Sequence, residues 1–266
     1  MTTTPSSRLR AETLTAGYDK RMILSGLSVE IPADSFTVVV GANACGKSTL
    51  LRALSRLLAP ASGAVLLDGA AISSYPAKEV ARRIGLLPQS SIAPDAITVA
   101  ELVARGRYPH QGVLRQWTPA DEEATLRAME ATGIVDLSGR RVDELSGGQR
   151  QRVWVAMVLA QQTGLLLLDE PTTFLDIAHQ IELMDLFADL HDDGATIVAV
   201  LHDLNQAARY ATHLIAMKDG AVVAQGPPGE IVTAEIVEHV FDLPCVVTPD
   251  PVTGTPSVSP IGRRGR

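Results

Sequence analysis

Apolar and polar positions change period several times along the chain, and each change predicts an element. In residues 9–16 and again in 27–31, apolar side chains recur about every second position. In the second run Leu27, Val29 and Ile31 face one way, Ser28 and Glu30 the other. A period of two predicts strands with one wet face. Residues 36–40 form a β-rich run ending at Gly41, which reads as a buried strand feeding a turn. The pattern then predicts a helix over 47–58, stopped by Pro60, and short strands at 65–67 and 84–87 around a helix near 77–83. From about 99 to 162 it is mostly helical. Thr118, Pro119 and Asp121 stand there as cap, first-turn proline and capping-box acid. Alternation of strand and helix then returns: a buried strand at 165–168, a helix at 176–190, a buried strand at 196–201 and a helix at 204–211. A hairpin over 213–224 turns at Asp219-Gly220. The prediction is an α/β core interrupted by a helical insert. The start, 1–7, is expected to be frayed. The segment 248–266, rich in Pro, Thr, Ser and Gly, is expected to be disordered.

Composition narrows the class. With 46% hydrophobic and 20% charged residues the chain is globular. Its 23 basic and 30 acidic residues leave a net charge of −7, which disfavours a nucleic-acid partner. Two cysteines, Cys45 and Cys245, exclude a disulfide framework. The first ten residues lack the apolar segment of a secretory signal. No apolar run approaches the ~20 residues of a membrane span.

The chemistry is carried by short motifs. Gly41-Ala42-Asn43-Ala44-Cys45-Gly46-Lys47-Ser48 fits G-x-x-x-x-G-K-[ST] between a predicted strand and a predicted helix. In that context backbone N–H groups and the helix start point at phosphate oxygens. Gly46 permits close approach, Lys47 reaches the β- and γ-phosphates, and the Ser48 hydroxyl can bind Mg²⁺. Thr49, next in the helix, is counted with the ATP-binding residues. Cys45 has two readings, a reactive thiolate beside Lys47 or a small inert side chain packed inward. Four leucines lead into Asp169-Glu170, placing two carboxylates at the C-terminal end of a strand, where ligands bind in α/β sheets. Asp169 would hold Mg²⁺ and Glu170 would deprotonate the attacking water. Ser146, Gly147 and Gly148 precede a helix beginning near Gln149, a second anion-binding helix start.

Leu145-Ser-Gly-Gly-Gln149, taken with the loop and the Asp-Glu strand, resembles the ATP-binding cassette ATPases over residues 9–245. The resemblance implies a P-loop NTPase core with an N-terminal antiparallel β subdomain and a helical insert subdomain. The cassette is expected over 8–247 and the insert over about 97–162. It further implies that Tyr18 stacks on adenine, and that Gln89 senses both Mg²⁺ and a permease. Asp176 belongs to the D-loop, and His202 contacts the γ-phosphate. Ser146, Gly147, Gly148 and Gln149 would bind the γ-phosphate held by a second copy, giving a head-to-tail homodimer with ATP sandwiched. Ala42 stands where proline is common, and Ala44 where glycine is usual. If position 44 needs a positive φ, alanine costs about 1 kcal/mol.

Three stretches, 104–112, 171–176 and 201–207, look like the ATPases of iron–siderophore, haem and vitamin B12 importers, best of all the ferric siderophore group. That implies a peripheral protein on the cytoplasmic face of the cell membrane, docked on permease subunits and served indirectly by a substrate-binding protein. The residues of 104–112, Arg105, Arg107, Tyr108 and His110 among them, are expected to face the permease. The competing expectation is an ATPase of the same family acting without a permease, as in iron–sulfur cluster assembly.

Overall fold

The computed structural model describes residues 7–19, 21–89, 92–112 and 117–262. These divide into one unit made of 7–74 with 196–262 and another made of 75–195. The expected frayed start lies outside the described residues except for Ser7, as do the last four residues of the chain.

The first unit opens with an antiparallel sheet in the order Arg21–Pro32, Ser7–Tyr18, Ser62–Leu67, Ala70–Ala71. Its first strand buries Leu9 and Ala11, then Leu14 and Ala16, so the alternation slips by one residue. The slip sits at Thr13, whose φ is 45°, where the register with the next strand shifts between Ala11 and Leu14. One extra residue returns the apolar side chains to the same face. The same unit carries a parallel arrangement in which Phe36–Gly41, buried throughout, lies between Thr196–Val200 and His213–Lys218. Ala221–Gly226 folds back antiparallel on the last of these.

The helix after the phosphate loop, Lys47–Leu54, is shorter than the pattern predicts. Arg56 turns left-handed at φ 64°. The N–H groups of Leu57 and Arg56 then close on the carbonyls of Arg52 and Ala53. This pair of bonds ends a helix from within, four residues before Pro60 could.

For residues 248–262 the expectation of disorder is corrected by the structure. Cys245–Pro249 and Pro256–Pro260 form an antiparallel hairpin, with Val247 opposite Val258. Asp250 accepts hydrogen bonds from the N–H groups of Val252 and Thr253, each at 2.9 Å, and Gly254 supplies a φ of 74°. The Pro, Thr, Ser and Gly of this stretch are turn and edge residues here.

In the second unit the helices Val99–Ala104, Pro119–Ala131 and Gly147–Ala160 share a core that includes Leu102, Val103, Met129, Val153 and Ala156. Capping boxes start all three, Thr98 with Glu101, Thr118 with Asp121 and Ser146 with Gln149. Ile84–Leu87 and Leu165–Asp169 pair in parallel. Asp176 caps the helix Ile177–Asp192 through the N–H of His179.

Candidate functional site

Within the first unit, the phosphate loop is held open by its own residues. The buried Lys47 curls over it, its Nζ donating to the carbonyls of Gly41 at 2.8 Å and Ala42 at 3.0 Å. An ammonium has three donors, so one remains for a ligand. Gly41 must be glycine, since a Cβ there would lie 2.3 Å from the Met217 carbonyl. Gly46 has a φ of 106°, and a Cβ would press on Leu24. Ala44 does take a left-handed φ, 61°, so the departure from glycine carries the expected strain. Asn43 and Ala44 line the exposed mouth of the loop, while Thr49 is buried at its base.

Cys45 is 5% exposed, and a Cβ at Gly41 would come 2.8 Å from its sulfur. Burial pushes the thiol pKa up, against the pull of the Lys47 ammonium. Of its two readings, the structure shows the inward packing of the second.

Tyr18 ends its strand half exposed. Its hydroxyl accepts from Arg52 at 3.0 Å, and the guanidinium stands 5.9 Å from the ring centroid. His202 is exposed just past the strand Thr196–Val200. The capping of the next helix falls to Asp203, which accepts from the N–H groups of Asn205 and Gln206.

Within the second unit, Asp169 is buried at the end of its strand. Glu170, next in the chain, adopts a left-handed φ of 54°. For a residue with a side chain that conformation is strained, and such strain gathers at functional sites. Here it accompanies a turn in which Thr173 N–H donates to the Glu170 carbonyl at 3.2 Å. A cavity of about 550 Å³ brings together Gln89, Gly147, Gln151, Trp154, Glu170 and Phe174. Gln89 and Glu170, 81 positions apart in the sequence, therefore share one space.

A second cavity of about 410 Å³ lies along Ser146, Gly147, Gly148, Gln149 and Asp176. The signature helix begins at Gly147, two residues earlier than predicted. Ser146 Oγ accepts from Gln149 N–H at 3.2 Å, and Gln149 Oε1 accepts from Ser146 N–H at 3.1 Å. Asp176 is engaged by His179, and the N–H of that residue holds its carboxyl below the usual range.

Sequence reasoning missed Phe174. It lines both cavities, is 77% exposed and takes a φ of 67°. The one available signal was a large aromatic inside an otherwise small and polar motif.

Another expectation is corrected. Arg107 does not face outward for a permease. It is buried and paired with Asp121 at 2.9 Å, whereas Tyr108 in the same turn is 70% exposed.

The candidate metal ligands, Ser48, Gln89 and Asp169, offer only oxygen, the donor set a hard cation such as Mg²⁺ prefers. No group of three or more His, Cys, Asp or Glu side chains that could hold a metal occurs among the described residues. Ser48 lies in the first unit, Gln89 and Asp169 in the second; Mg²⁺ commonly takes one or two protein oxygens and fills its shell from phosphate and water.

A phosphate loop closing a parallel strand, with an acidic pair ending another, defines a P-loop nucleoside triphosphatase. The ABC transporter family matches residues 24–173, and the chain belongs to that family. It is 60% identical to the ferric enterobactin transport ATP-binding protein of Escherichia coli K12, over 97% of this chain and 95% of that one. It is 44% identical to the iron(3+)-hydroxamate import ATP-binding protein of Bacillus subtilis 168, over 93% of each. Among solved structures, an inward-facing ABC transporter of the metal-chelate type superposes with a TM-score of 0.82 at 27% identity, over 97% of this chain and 99% of that one. A dimeric cassette with ADP and phosphate bound after hydrolysis superposes at 0.74 and 25% identity, over 82% and 98%.

Proposed function

We propose that this chain is the ATP-hydrolysing subunit of an importer that carries an iron–siderophore complex through a membrane permease. The observation that carries the reading is the phosphate loop with its folded-in lysine, in a chain whose 60% and 44% identical relatives are named for import of iron chelates.

Tyr18 offers a ring for the adenine. The N–H groups of the loop 41–49 and the free donor of Lys47 receive the phosphates. Ser48, Gln89 and Asp169 are the residues that would hold Mg²⁺, which when bound neutralises charge on the β- and γ-phosphates. Glu170 takes the proton of the attacking water, and His202 donates to the γ-phosphate. Ser146, Gly147, Gly148 and Gln149, along a solvent-open cavity, receive the γ-phosphate of a second copy in a head-to-tail homodimer. Asp176 lies at the same face.

No helix among the described residues is long and apolar enough to cross a membrane. In this reading the permease and, through it, a substrate-binding protein are further chains, and this one is peripheral on the cytoplasmic face; the support is its likeness to ATP-binding proteins named for iron-chelate import.

The test is reconstitution. The tagged chain is purified with the membrane protein that accompanies it and placed in proteoliposomes. ATP-driven uptake is then measured for ferric catecholate and ferric hydroxamate siderophores, haem and cobalamin. Uptake of a ferric siderophore supports the reading. Recovery of an active ATPase wholly free of membranes, with no response to any permease, supports the permease-free alternative instead.

A further inference from the structure

The turn Arg105–His110 is fastened to the far end of the signature helix by three separate contacts. Arg107, 6% exposed, donates through Nη1 to the Ala160 carbonyl and to Gln162 Oε1, both at 2.8 Å, and through Nε to Asp121 Oδ1. His110 Nε2 lies 2.8 Å from the Gln161 carbonyl. Gly106 has no room for a side chain, since a Cβ would meet the Met157 carbonyl at 2.1 Å and Ala160 Cβ at 3.1 Å. The turn therefore rests directly on the last turn of the helix. Arg107 and His110 satisfy carbonyls that a helix end leaves without partners, and the Arg107 guanidinium stands at the negative pole of the dipole.

That helix, Gly147–Ala160, has 14 residues, a rod of about 21 Å. Its other end is the signature glycines. From the same junction Gln161 Nε2 donates to the Ile84 carbonyl at 3.0 Å, the first residue of the strand Ile84–Leu87 that leads to Gln89. On the outer side, Tyr108 is open to solvent with Lys78 Nζ 5.3 Å from its ring centroid. Arg82 Nε holds the Pro109 carbonyl at 2.8 Å.

We propose that Arg107, seconded by Gly106 and His110, is a positioning residue. It ties the solvent-facing turn to the signature at one end of a rigid helix and to Gln89 at the end of a strand. A close-packed helix transmits displacement instead of absorbing it, so a partner pressing on Tyr108 shifts both groups together. The identity of that partner rests on the permease reading; the linkage is a property of this chain.

Arg107→Lys tests it, because lysine keeps the charge but not the fork of directed donors. In the isolated full chain, hydrogen exchange should quicken about fivefold or more at residues 158–162 and also at 149–153. The dissociation constant for a fluorescent ATP analogue should not change. In complex with the permease that copurifies with the chain, kcat should fall about tenfold at unchanged KM. Exchange altered near the turn but not at 149–153 overturns the linkage, as does an unchanged kcat in a complex whose wild-type ATPase responds to the permease. His110→Ala, which deletes one bond from a half-buried side chain, carries the same test should Arg107→Lys not fold. A wild-type ATPase indifferent to the permease would defeat the permease reading alone, and the exchange measurement would still decide the linkage.

Discussion

Asn205 grips Val258 by both of its main-chain groups. The side-chain Oδ1 accepts the Val258 N–H at 2.7 Å, and Nδ2 donates to the Val258 carbonyl at 3.4 Å. The amide stands in for a neighbouring strand along the edge of the C-terminal hairpin. Asn205 lies in the first turn of the helix Leu204–Tyr210, two residues after the capping Asp203. Asn205→Ala should cost about 1–2 kcal/mol, because it strands a half-buried N–H and C=O. Urea denaturation would measure the loss, and hydrogen exchange should locate it at 256–260. An unchanged midpoint would show that the hairpin is held by other contacts.

Acid should weaken the insert through Asp121. The Thr118 hydroxyl first, and then the Arg107 guanidinium, hold its carboxyl below the usual range against the opposing effect of burial. A carboxyl depressed in the folded state lends stability that is complete above its unfolded pKa of about 3.9. That stability is lost as pH falls through the folded value. The difference in melting temperature between wild type and Asp121→Asn should therefore hold steady from neutral pH to about 5 and narrow below about 4. A difference that stays constant down to pH 3 would remove Asp121 from the acid response.

Glu170→Gln should bind ATP as the wild type does and lose about a hundredfold or more in turnover, since an amide cannot accept the water's proton. Phosphate release gives the rate. Size exclusion with and without Mg-ATP should show a nucleotide-dependent dimer that persists in the variant. Hydrolysis close to normal would take the base role away from Glu170.

Ser146→Arg should put a bulky cation at the mouth of the signature cavity. It also deletes the hydroxyl that caps the helix through Gln149 N–H. ATP should still bind through the Lys47 loop, while dimerisation and hydrolysis fail. Circular dichroism checks that the lost cap, worth about 1 kcal/mol, has not unfolded the chain. Normal ATPase in a folded variant would contradict the head-to-tail arrangement.

Thiol reagents should find Cys45 slow. Its sulfur is buried under Gly41, and burial raises the pKa of Cys45 and of Cys245 alike, so little reactive thiolate forms at neutral pH. Both cysteines should label at comparable low rates in the native protein and rapidly in denaturant. Peptide mapping after brief exposure would read this. Fast labelling of native Cys45 that ATP suppresses would restore the reactive reading.

Much of the molecule is determined locally, and those parts were legible in the chain itself. Residues 36–40 bury every side chain, so their continuous β-rich run could be read directly, as could the leucines before Asp169. Capping is equally local. Thr118 and Asp121 lie three apart and bond each other as their spacing predicts. The phosphate loop was legible because its glycines, lysine and serine stand at fixed spacing within 41–48, although the carbonyl that excludes a side chain at Gly41 belongs to distant Met217.

Other features depended on partners far away in the sequence. Arg107 reads as a surface cation until Asp121, Ala160 and Gln162 converge on it. Residues 248–260 read as disordered until Asn205 supplies a strand edge and Asp250 a turn. The two failures share a cause. Polarity along the chain records which groups need hydrogen-bond partners. Whether water or the protein provides them is decided only when distant segments meet.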